Sequence, residues 1–109
     1  MKMRDTLFTV IDWDQMPGSE HLGQTGKALW RTRVFGDMRV RLVEYTVGYM
    51  ADHWCSKGHV LFVVEGSLDT ELDDGRIFSL TAGSSYQVGD DQNLHRSRSV
   101  EGARLFIVD

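Results

Sequence analysis

The stretch Gly48-Tyr49-Met50-Ala51-Asp52-His53-Trp54-Cys55-Ser56-Lys57-Gly58-His59-Val60-Leu61-Phe62-Val63-Val64-Glu65-Gly66 decides the fold. Its second half, His59 to Glu65, is a nearly continuous apolar run rich in valine and too short for a good helix, so it reads as a buried central strand. Its first half gathers the single cysteine, Cys55, with His53, and His59 opens the second. Working outward, Leu68 to Leu72 and Arg76 to Leu80 flank Asp73-Asp74-Gly75, a sequence suited to the positive φ of a tight hairpin. On the other side Ala28 to Phe35 and Met38 to Val47 are joined at Gly36-Asp37, a Gly-first two-residue turn. Thr6 to Ile11, Ser85 to Val88 and Ala103 to Val108 read as further strands. Trp13 to Gly26 holds Pro17 and shows no sustained period, so it reads as a long surface loop. About eight or nine short strands separated by turn signals define an all-β sandwich or barrel.

The 109 residues are enough for one core and too few for two ordinary domains, giving one domain over 1–109. Residues 1–27 form its N-terminal strand and loop, and 28–109 its barrel. Eleven glycines against the lone Pro17 suit tight turns rather than a disordered linker. The net charge of -4 argues against a nucleic-acid binder, and no apolar run approaches the roughly 20 residues that cross a bilayer. A lone Cys55 cannot form an intramolecular disulfide, and the expected location is the cytoplasm. Bases cluster at Lys27, Arg31, Arg33, Arg39 and Arg41, and acids at Glu65, Asp69, Glu71, Asp73 and Asp74. Such blocks read as solvated sheet faces or cross-strand pairs, with anion recognition open to Arg39 or Arg41 if either points into a cavity.

On an extended strand His53 and Cys55 share a face, and His59 returns to it after six residues unless the Ser56-Lys57-Gly58 turn resets the phase. With His95 from another strand, His53, Cys55 and His59 supply three or four ligands for a first-row divalent metal. Other roles stand beside this one: Cys55 as a small buried hydrophobe, each histidine as a structural hydrogen-bonding group, or Cys55 and a histidine as a nucleophilic pair. No Cys-x-x-Cys pair marks a zinc finger.

Gly48 to Glu71 and Gly83 to His95 resemble the two motifs of the cupin superfamily. Its His-x-His-x3-Glu register falls on His53-x-Cys55-x3-His59, so a cysteine replaces the second histidine and a histidine the glutamate. Gly83, Gly89 and His95 resemble the second motif, without its proline. Ala51 to His59 is also similar to the signature of small cupins called the DHCW-motif group. The resemblance implies a double-stranded β-helix, or jelly-roll barrel of RmlC-like type, with a divalent transition metal (Fe, Zn or Ni) inside it on His53, Cys55, His59 and His95. Loss of the glutamate disfavours manganese. Arg41, Tyr45, Tyr86 and Arg96 are candidates to line a pocket for a small molecule, whereas Trp54 should point away from the site. The implied function is a metal-dependent oxygenase of the non-haem iron kind. The alternatives are a non-catalytic metal- or ligand-binding sensor with a closed site, or a metal-free sugar isomerase or epimerase. A homodimer is expected, with Thr6 to Ile11 pairing against a neighbouring subunit.

Overall fold

The computed structural model describes Met3 and residues 6–109. Nine strands follow one another: β1 (Ser19–Leu22), β2 (Lys27–Phe35), β3 (Met38–Tyr45), β4 (Tyr49–Met50), β5 (His59–Leu72), β6 (Ile77–Thr81), β7 (Ser85–Val88), β8 (His95–Ser99) and β9 (Ala103–Val108). A single 3-10 turn, Trp13–Gln15, is the only other regular element among the described residues. All strand pairings are antiparallel. One sheet runs β1-β2-β3-β9-β5-β7, and the other joins β4, β8, β5 and β6. β5 belongs to both, giving Val60–Gly66 to β9 and Ser67–Leu72 to β6 and β8.

The two hairpins lie where their turn chemistry places them. Phe35 faces Met38 across Gly36-Asp37, with Gly36 at φ 61°, and the Leu72 amide donates to the Arg76 carbonyl around Gly75 at φ 93°. Alternation then decides the core: Val43, Leu61, Val63, Leu68, Leu105 and Ile107 point inward from β3, β5 and β9 and are almost wholly shielded from water.

Four expectations are corrected. Thr6 to Ile11 forms no strand, and Leu7, Phe8 and Val10 stand in solvent. An apolar run becomes a strand only where a partner edge takes up its backbone groups. Within the supposed loop Trp13 to Gly26, residues 19–22 pair with β2, Ser19 opposite Trp30 and Leu22 opposite Lys27. β5 is buried on one face only, since Val60, Phe62 and Val64 alternate outward. Finally, Gly66 does not end that strand: a bulge between Val63 and Glu65 and a φ of 80° at Gly66 bend it from one sheet into the other.

The charged blocks are largely cross-strand pairs. Arg96 and Arg98 of β8 meet Glu71 and Asp69 of β5 at 2.7 and 3.4 Å, and Arg31 meets Glu44 at 3.0 Å.

Candidate metal centre

The segment after β4 is a loop anchored to the chain before β8. Cys55 and His95 exchange both backbone hydrogen bonds, N–H to O, at 2.7 and 3.0 Å. The Gly58 amide donates to the Asp90 carboxylate at 2.7 Å, and a side chain at Gly58 would strike the backbone of Val88 to Asp90. That close approach requires glycine. These anchors deliver Cys55 and start β5 at His59, opposite Val88.

Cys55, His59 and His95 converge, with one ligand atom from each lying within 4.8 Å of the others. His95 is buried and its Nδ1–H donates to the Asn93 carbonyl at 2.8 Å, which leaves a lone pair on Nε2. His59 Nε2 lies 2.8 Å from the Tyr86 hydroxyl, and its Nδ1 has no partner. Both His59 Nδ1 and His95 Nε2 are therefore buried nitrogens without a hydrogen bond. Such atoms are rare because each costs about 1–3 kcal/mol, and a metal held by these three residues would give such a nitrogen a partner. The donor set, one thiolate and two imidazoles, fits a divalent transition metal, with the thiolate favouring softer ions.

The electrostatics agree. Burial first, then the charges of His95 and Arg41, push His59 down to about 4, which keeps its ring neutral. His95 holds the Cys55 thiol below its ordinary value against the opposing effect of burial, and Cys55 raises His95 in return.

His53 stands apart from this cluster. Its side chain is 78% exposed and its Nδ1 lies 2.6 Å from the equally solvent-facing Asp52. The break in phase falls before Cys55 and not at Ser56 to Gly58, because the chain bends at Asp52 and His53 ahead of the one bridge at Cys55, while Cys55 and His59 stay together. His53 reaches the rim of the cavity and not the other three ligand atoms.

The three ligands open onto a cavity of about 230 Å3 inside the barrel, which Arg41, Tyr45, Tyr86 and Arg96 also line. Tyr45 stacks on Tyr49 at 4.1 Å, and burial raises the Tyr45 and Tyr86 hydroxyls, so both stay protonated. The Arg96 guanidinium covers the outward Trp54 ring at 4.4 Å. Arg39, left open to anion recognition by the sequence, also lines the cavity, and Trp30, Lys57 and Asp109 are lining residues that the sequence reading missed. Asp109 accepts two hydrogen bonds from Arg39 at 2.9 Å and one from Arg41 at 3.2 Å. A carboxylate closing an apolar strand is the only local signal for it.

Two outcomes follow from this geometry. Tyr86→Phe removes the partner that orients His59 and is expected to weaken metal affinity about tenfold or more, measured by competition with a chelator. In the metal-stripped protein, unfolded His59 binds a proton near pH 6.5 but folded His59 only near 4. Between those values the unfolded state holds more protons, so stability falls as pH falls. Chemical denaturation from pH 7 to 4.5 should show a smaller acid loss in His59→Gln than in the parent.

No protein-family model matches the sequence, and no curated protein does. Solved structures do match, and the curled antiparallel barrel has the fold of RmlC-like cupin proteins. It is similar to an RmlC-like cupin from Shewanella frigidimarina at TM-score 0.69 and 23% identity, over 97% of this chain and 92% of that one. Ectoine synthase from P. lautus matches at TM-score 0.75 and 14% identity, over 93% and 76%. The iron(II) form of HppE matches at TM-score 0.75 and 16% identity, over 98% and 62%. At these identities the likeness speaks for the fold.

Proposed function

We propose that the protein binds one divalent transition metal through Cys55, His59 and His95 and acts as a metal-dependent enzyme of the non-haem iron kind on a small molecule in the barrel cavity. The observation that carries this reading is that Cys55, His59 and His95 bring one ligand atom each within 4.8 Å of the others, while each of the two histidines keeps a buried nitrogen without a hydrogen bond. Three protein ligands beside a cavity leave coordination positions for substrate, whereas a structural site closes with four. The exposed His53, paired with Asp52, therefore weighs against a closed sensing site. Similarity to an iron(II) protein and to a synthase on the same fold is consistent with the proposal. When bound, the metal would supply Lewis-acid or redox chemistry, while the chain orients His59 through Tyr86 and shields the site within the barrel.

The test is oxygen uptake by iron(II)-loaded protein across a panel of small molecules. The expected result is uptake that needs both the metal and one class of compound. Oxygen consumption no greater than that of metal-stripped protein across the panel would count against the oxygenase reading.

A homodimer belongs to the same proposal. Leu7, Phe8 and Val10 are 80–97% exposed, and Val60, Phe62 and Val64 line one outer strand face, an amount of apolar surface that favours association. Sedimentation should give twice the 12.4 kDa chain mass, and a monomer at micromolar concentration would refute it.

A further inference from the structure

Arg41 is a buried cation that the metal centre does not use. Only 5% of the residue is exposed, its guanidinium lies 4.5 Å from the centre of the Trp30 ring, and its Nε has no hydrogen-bond partner. Its ion-pair partner, Asp109, is shared: Arg39 takes both carboxylate oxygens at 2.9 Å, and Arg41 reaches one of them at 3.2 Å. A guanidinium offers five N–H donors in a rigid fork that matches a planar oxyanion. A buried charge left under-paired is costly, so its retention calls for a partner.

The cavity around it is unbalanced in the same direction. Arg39, Arg41, Lys57 and Arg96 line it, and among the described residues Asp109 is the one acidic residue that does so. A divalent ion on a single thiolate would add further positive charge. Arg41 shares this cavity with the ligand cluster, since Cys55, His59 and His95 line the same space. At about 230 Å3 the space admits a small organic molecule.

We propose that the cavity selects a small organic oxyanion, a carboxylate or a phosphate, whose anionic group pairs with Arg41 over Trp30 while its other end faces Cys55, His59 and His95. The inference rests on the metal-centre reading for what lies at that other end, and on Arg41 alone for the charge of the ligand.

Isothermal titration calorimetry of the full chain with benzoate, phenyl phosphate and uncharged benzamide tests it, on zinc-loaded and on chelator-treated protein. At least one of the two anions should bind at least tenfold more tightly than benzamide, and the tighter of them identifies the oxyanion. Arg41→Gln should lose tenfold or more of that affinity with zinc content unchanged. Arg41→Lys keeps the charge without the fork, which secures a folded comparison, and should lose several-fold. Equal binding of benzamide and the anions, no binding of either anion, or unchanged affinity in both Arg41 variants would overturn the proposal. Failure to take up zinc, with anion binding still dependent on Arg41, would instead overturn the metal reading and leave this one standing.

Discussion

His95→Ala is expected to lower affinity for a divalent transition metal by more than about a hundredfold while leaving the barrel folded. Removing a ligand costs more than removing an outer-shell partner, which alone costs 10- to 100-fold. His95 holds its ring by the Nδ1–H bond to Asn93, fixing the tautomer that aims Nε2 at the cluster. It packs beside His59, with ring centres 5.0 Å apart, and lies outside the apolar core. Competition against a chromophoric chelator, with circular dichroism as the control for folding, reads the effect. Affinity within threefold of the parent would remove His95 from the ligand set.

The largest effect on stability is expected at Gly66. Its φ of 80° is costly for any residue with a side chain, by about 1–2 kcal/mol. A Cβ there would also run into the Gly102 carbonyl oxygen, where β5 parts from β9, and forcing that backbone away adds about 1–3 kcal/mol. Gly66→Ala should therefore cost about 3 kcal/mol or more, a fall in Tm of about 10 °C or more. Gly75 sits at φ 93° with open space around it, so Gly75→Ala should show the backbone cost alone. Thermal unfolding of the two variants side by side separates the terms. Equal losses would mean that the approach of Gly66 to Gly102 carries no energy.

The sequence is readable where structure is local. Gly36-Asp37 and Asp74-Gly75 announce their hairpins because turn geometry is set by the turn residues themselves. β8 was met only through His95, without bounds, because its inward residues His95, Ser97 and Ser99 carry no apolar signal yet are buried. The run through Gly66 looked like two strands because a glycine within a bent strand and a glycine after its end look alike in sequence. At the site, Cys55, His59 and His95 could be named from residue type and the resemblance. The position of His53 could not, because the path of residues 51–58 is set by backbone bonds to Asp91, His95 and Ser97. Asp109 was also hidden, since its meeting with Arg39 spans 70 residues of sequence.

The most direct test is X-ray absorption spectroscopy of the zinc-loaded protein. One sulfur at about 2.3 Å and two imidazole nitrogens at about 2.0–2.1 Å are predicted, with any remaining position held by a light atom from water or ligand. A first shell without sulfur, or one completed by a third imidazole from His53, would contradict a centre built on Cys55, His59 and His95.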